Sequence, residues 1–172
     1  MHFTSASANK YLNQLNAEKD LIVSRERDVA TFTAATVEKL EEVAPKYDFH
    51  ETQAKLFEIE DKIIRLKHAL NVFNTTTVLE SFITSNGEAL TVDSALVYMA
   101  ILSQRISKYE RMAKTEAKKS YSYSNGLIVY RYANYSVPQA KFAYENAQKE
   151  LHELQLALDK VNNTVEFEVN LD

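Results

Sequence analysis

The sequence predicts a mainly α-helical protein: two tandem antiparallel helical hairpins, four long helices packed in coiled-coil fashion, and a small Tyr-rich β-hairpin arm. Three observations lead there. Apolar residues recur at heptad spacing over two long stretches. Segments of the first half reappear 87 or 88 residues later. The 172 residues include only two Gly, two Pro, no Cys and no Trp. That is too few turn residues for a sandwich or barrel, and no thiol exists for a disulfide framework, a thiolate metal site or a cysteine nucleophile.

In the first half, Ala8, Leu12, Leu15, Ile22 and Val29 mark the apolar face of a leading helix, interrupted by Lys19, Glu26 and Arg27. Residues 31–49 are expected to stay helix-like up to Pro45, with Lys46-Tyr47-Asp48-Phe49 as a weak strand. The second helix carries the clearest pattern: Leu56, Ile59, Ile63, Leu66, Leu70 and Phe73 step by 3, 4, 3, 4 and 3. Each such side chain is worth roughly 1.5–3 kcal/mol when buried, so the stripe needs a partner helix. Asn74-Thr75-Thr76 supplies stop residues whose side chains compete for the backbone. Val78-Leu79 is β-prone, and residues 81–89 are read as the linker between repeats 1–80 and 90–172.

The second half follows the same plan. Thr91-Val92-Asp93-Ser94 offers N-cap residues for a helix with face Ala95, Tyr98, Leu102, Ile106, Tyr109 and Ala113. Around residues 120–136, Asn125-Gly126 between β-branched and aromatic residues signals a hairpin. Alternation puts Tyr121 and Tyr123 on one strand face, and Ile128, Tyr130 and Tyr132 on one face of the other. Pro138 suits the first turn of a last helix. There Tyr144, Ala147, Leu151, Leu154, Leu158 and Val161 repeat the earlier stepping, before a β-prone tail, Val165-Glu166-Phe167-Glu168-Val169. Ser7-Ala8, Tyr11 and Leu15 meet Ser94-Ala95, Tyr98 and Leu102 at an offset of 87. Tyr47, Ile63 and Leu66 meet Tyr135, Leu151 and Leu154 at 88.

No catalytic residue and no metal or cofactor site is expected. His2, His50, His68 and His152 form no His-Glu-x-x-His or Glu-x-x-His pair. Gly87 and Gly126 cannot build a phosphate-cradling loop, and Ser24 and Ser103 lack an elbow. The opening residues lack a basic segment followed by an apolar run, and no stretch has the ~18 apolar residues of a membrane span. A cytoplasmic, non-enzymatic protein without membrane contact is the expectation.

Two surfaces could bind a partner. The seam residues Leu66, Leu70, Phe73, Leu154, Leu158 and Val161 need covering by each other or by a copy. The segment from Arg105 to Tyr135 holds Arg105, Lys108, Arg111, Lys114, Lys118, Lys119 and Arg131 against Glu110 and Glu116, so it carries +5 while the remainder carries −9. It also holds six of the ten tyrosines, including Tyr121, Tyr123, Tyr130 and Tyr132. Tyr and Arg populate interface hot spots, and unpaired strand edges seek partners. A homo-oligomeric scaffold or assembly protein, or one contacting another protein, is therefore the leading reading. Binding of nucleic acid through the cations and stacking rings is the alternative.

The layout resembles the septicolysin family, small bacterial helical proteins with two duplicated halves. The matching residues are Val72-Phe73-Asn74-Thr75-Thr76, Leu90-Thr91-Val92-Asp93-Ser94-Ala95-Leu96 and Val161-Asn162-Asn163-Thr164. The chain departs from that family in having Tyr98-Met99 where an Arg-Asp pair is expected, and no Trp after the last Asn. The resemblance implies a duplicated helical fold and brings no activity with it; the family's cytolysin-like name does not imply pore formation.

Overall fold

The computed structural model describes residues 1–124 and 127–171; the Asn125-Gly126 turn expected from the sequence lies outside them. In chain order the elements are β1 (His2–Thr4), α1 (Ser5–Val29), α2 (Leu40–Val43), α3 (Phe49–Thr76), β2 (Val78–Ile83) and β3 (Ala89–Thr91). They continue with α4 (Val92–Ala113), β4 (Lys118–Ser124), β5 (Leu127–Tyr132), α5 (Val137–Thr164) and β6 (Glu166–Glu168). The protein is mainly helical, with small antiparallel strand pairs. It divides into two compact units, Met1–Phe73 with Asn162–Asp172, and Asn74–Val161.

In the first unit, α1 begins at a reciprocal cap. The Thr4 hydroxyl accepts from the Ser7 N–H at 3.2 Å and the Ser7 hydroxyl accepts from the Thr4 N–H at 2.9 Å, which satisfies donors the first helical turn leaves free. Helix α3 returns alongside α1 in the opposite direction: Glu26 meets Gln53, and Lys19 meets Glu60 nearer the start of α1. All six stripe residues of α3 are buried. Ile59, Ile63, Leu66 and Leu70 form one core with Ala8, Leu12 and Leu15 of α1 and with Val169 and Leu171 of the C-terminal tail. That tail is held by β6, which pairs antiparallel with β1 in the register Phe3↔Phe167. The Val169 N–H donates to the Met1 carbonyl at 2.9 Å, and Phe167 packs against Phe73 with ring centroids 5.0 Å apart.

Residues 31–49 depart from the expectation. Only the four residues of α2 are helical before Pro45, and none of them is buried. The run 46–49 is not a strand. Asp48 instead caps α3, its Oδ1 accepting from the Glu51 N–H at 2.9 Å and its carbonyl from the Thr52 N–H at 3.1 Å. A short extended run gains nothing without a neighbouring strand to pair with. A carboxylate three residues ahead of a free N–H, by contrast, starts a helix.

In the second unit, β2 and β3 form an antiparallel pair, Val78↔Thr91 and Ile83↔Ala89, so residues 81–89 are the end of this hairpin. Its turn closes through the Thr84 hydroxyl, which accepts from the Glu88 N–H, and through Gly87, whose φ of 83° suits a residue without Cβ. Thr91 then caps α4, its hydroxyl accepting from the Ser94 N–H at 3.2 Å. Ser136 does the same for α5 through the Gln139 N–H at 3.4 Å, with Pro138 in the first turn, where its missing N–H leaves no bond unmade. Leu79, Phe82, Val92, Ala95 and Leu102 are buried, as are Ala147, Leu154, Leu158 and Val161 of α5, whereas Tyr144 and Leu151 are half-buried.

Leu66 and Leu154 are fully buried. Replacing either with Ala is expected to lower the unfolding free energy by about 2–5 kcal/mol in urea denaturation. Phe57→Ala, on the exposed face of α3, should stay within about 0.5 kcal/mol.

Candidate interaction site

The sequence pointed to a seam and an arm. The structure places them very differently. Leu66, Leu70, Phe73, Leu154, Leu158 and Val161 are all buried within the chain, so another molecule could reach them only after the helices separated. They are core residues of the folded chain. The arm is the reverse case: every residue of β5 is exposed, as is Tyr121 on β4.

The arm's ladder runs Lys118↔Tyr132, Lys119↔Arg131, Ser120↔Tyr130, then shifts to Ser122↔Val129, Tyr123↔Ile128 and Ser124↔Leu127. Tyr121 is the residue that the shift leaves without an opposite number, a bulge that sharpens local twist. The aromatic rings are shared between the two faces. Tyr130 and Tyr132 lie together, centroids 6.3 Å apart, with the Lys118 ammonium 4.1 Å from the first and 5.6 Å from the second. Tyr121 instead takes the Arg131 guanidinium at 4.3 Å. Cation–π contacts of this exposed kind are worth about 0.5–1 kcal/mol each. They brace a two-stranded ribbon that on its own is marginally stable in water. The sequence resolved the strands but not these pairings, because the register shift decides which side chains meet.

The seven cations are not one patch. Arg105, Lys108, Arg111 and Lys114 follow one another at three-residue spacing along α4, and each such step turns the helix surface by roughly 60°. Lys114 therefore points away from the side that carries Arg105. Arg105 lies 5.9 Å from the Tyr98 ring, and the Arg111 Nε donates to the Ser107 carbonyl at 3.3 Å. At the base of the arm Lys114, Lys119 and Arg131 do converge. They line a cleft of about 420 Å3 with Glu116, Tyr132 and Tyr135. Two of the three are already paired: Lys114 with Glu110 at 2.6 Å, which holds the ammonium above its usual range, and Lys119 with Glu116 at 3.1 Å.

Tyr135 ties the arm's exit to α4, its hydroxyl donating to the Met112 carbonyl at 3.1 Å. In the first unit Tyr47 holds the corresponding connection. Its hydroxyl donates to Glu26 Oε1 at 2.6 Å, and the same oxygen accepts from Gln53 Nε2 at 2.9 Å. The hydrogen bond to the Glu26 carboxylate, with lesser burial, pushes the Tyr47 phenol up to about 12. Sequence reasoning aligned these two tyrosines but missed their role as tethers. Their only sequence signal is the matched spacing.

Among the described residues no cluster of three His, Asp or Glu side chains could hold a metal ion, and no helix is long and apolar enough to cross a membrane. No protein-family model and no curated protein matches the chain. A solved structure shares the fold: the crystal structure of a functionally unknown conserved protein from Corynebacterium diphtheriae. It is 19% identical, with a TM-score of 0.54, over 98% of this chain and 100% of that one. At this identity the likeness shows the fold alone.

Because Tyr47 keeps its proton to about 12 in the folded state, against 10.0 for a free tyrosine, its contribution is complete below pH 10 and is lost as pH rises through 12. Stability measured across that interval should fall less for Tyr47→Phe than for the parent protein. Ultraviolet titration should show a phenol that ionises at about 12 in the parent and is missing from the variant.

Proposed function

We propose that the protein is a non-catalytic, cytoplasmic assembly element that associates with copies of itself through the β4–β5 arm. The observation that carries this reading is the exposure of Leu127 (70%), Ile128 (48%) and Val129 (40%) beside Tyr121, Tyr130 and Tyr132 on a two-stranded ribbon. Aliphatic residues in a row offer nothing to a phosphate backbone, but they bury readily in a protein contact, and the ribbon's free edges can accept another strand.

We read the chain as two copies of one plan, β-strand, helix, excursion, long helix. Matched caps support it: Thr4 with Ser7 and Thr91 with Ser94 at an offset of 87, Asp48 and Ser136 at an offset of 88. So do the tethers Tyr47 and Tyr135, also 88 apart. Kinship with the septicolysin family is proposed on the same layout and adds no activity. If one ancestral hairpin was doubled, the two excursions are where the copies diverged. The second became an exposed β-arm.

A nucleic-acid reading draws on one observation, the meeting of Lys114, Lys119 and Arg131 at the cleft beside Tyr132 and Tyr135. It is the weaker reading, because Lys114 and Lys119 are neutralised by Glu110 and Glu116, and Arg131 already covers the Tyr121 ring.

Deleting residues 120–131 should lower the mass measured by light scattering while far-ultraviolet helicity persists. An unchanged mass rejects the arm as an assembly element. Short single-stranded oligonucleotides should show no affinity even at low salt. Binding that weakens steeply with salt would favour the nucleic-acid reading instead.

A further inference from the structure

We propose that the arm of one molecule docks on the acidic excursion of the first unit of a second copy. This rests on the reading of the arm as an assembly element and names its receptor. The two excursions are oppositely charged. Residues 114–135 hold Lys114, Lys118, Lys119 and Arg131 against Glu116, a net +3. Residues 30–48, between α1 and α3, hold Glu38, Glu41, Glu42 and Asp48 against Lys39 and Lys46, a net −2.

The acidic excursion is also as uncovered as the arm. Val37 is 91% exposed, Leu40 60% and Phe49 57%, and the short helix α2 buries no residue at all. Both surfaces therefore present apolar side chains within a charged surround, which is the anatomy of an interface: an apolar centre with a polar rim. The signs choose the arrangement. A two-fold contact of arm against arm would bring net positive charge onto net positive charge, and acidic excursion against acidic excursion net negative onto net negative. Like-charge juxtaposition of this kind disfavours the contact. Arm against excursion satisfies both. Because it joins unlike surfaces, a single contact leaves one arm and one excursion free on the pair, to be satisfied reciprocally in a two-fold dimer or by further copies in a ring or filament.

The experiment compares three purified chains by sedimentation velocity at low and high salt: the parent, the chain lacking residues 120–131, and Glu41→Lys with Glu42→Lys. These two glutamates lie on the exposed surface of α2, away from every core residue, and circular dichroism checks that helicity is kept. The parent should form a dimer or larger species that dissociate as salt rises. Each altered chain alone should be monomeric, with association weakened at least about tenfold. An equimolar mixture of the two should give a one-to-one heterodimer and nothing larger, since it contains one intact arm and one intact receptor.

Parent-like assembly of the Glu41→Lys, Glu42→Lys chain, with loss only on arm deletion, overturns the receptor while leaving the arm's role standing. Parent-like assembly of the arm-deleted chain overturns both. A parent that remains monomeric at all concentrations tested also overturns the proposal, and would point to an acidic partner other than a copy.

Discussion

The constraint on which the molecule depends is the covering of one apolar stripe on each of two 28-residue helices, α3 and α5. In a folded protein most of a helix's stability comes from the face it buries and not from propensity. In the first unit the cover is visible in full. Helix α1 supplies Ala8, Leu12 and Leu15, and the tail beyond β6 supplies Val169 and Leu171. The tail is thus a structural part of a unit whose other residues are far away in sequence. Its strand β6 is held to β1 by ladder pairing and to α3 by the contact of the Phe167 and Phe73 rings.

The same constraint explains what is left outside. The excursions between the paired helices have no stripe to cover. The first collapses into a four-residue helix and irregular chain; the second forms a ribbon braced by its own cation–π contacts. Tyr47 and Tyr135 each fasten such a segment to the preceding helix by a single hydroxyl. Surfaces freed from packing are the ones available for contact with other molecules. On this chain they differ in charge sign.

Much of this was legible before any coordinates. The 3-4-3-4 stepping from Leu56 to Phe73 identified six residues that are all buried, because a helix has one periodicity and a stripe can face only one way. Thr91 and Pro138 marked helix starts by local chemistry. The strands around Tyr121 and Tyr130 followed from β-branched and aromatic content. Reading failed where a local tendency needed a partner that did not exist. Lys46-Tyr47-Asp48-Phe49 has strand-like composition, yet no strand among the described residues pairs with it, and the Asp48 carboxylate is better used as a cap. The bulge at Tyr121 was invisible too, since ladder register belongs to two strands together and to neither alone.

What the amino-acid order determined by itself was therefore the one-dimensional part: helix periodicity, caps, the β character of the arm, and the opposite charges of the two excursions. Tertiary structure alone decided which surfaces remain open. It placed the seam leucines out of reach, divided the tyrosines between two faces of the ribbon, and spread the α4 cations around the helix. The physical reason is that burial and register depend on residues brought together from distant positions. The tail that covers Leu70 comes from Val169 and Leu171, a hundred residues away along the chain.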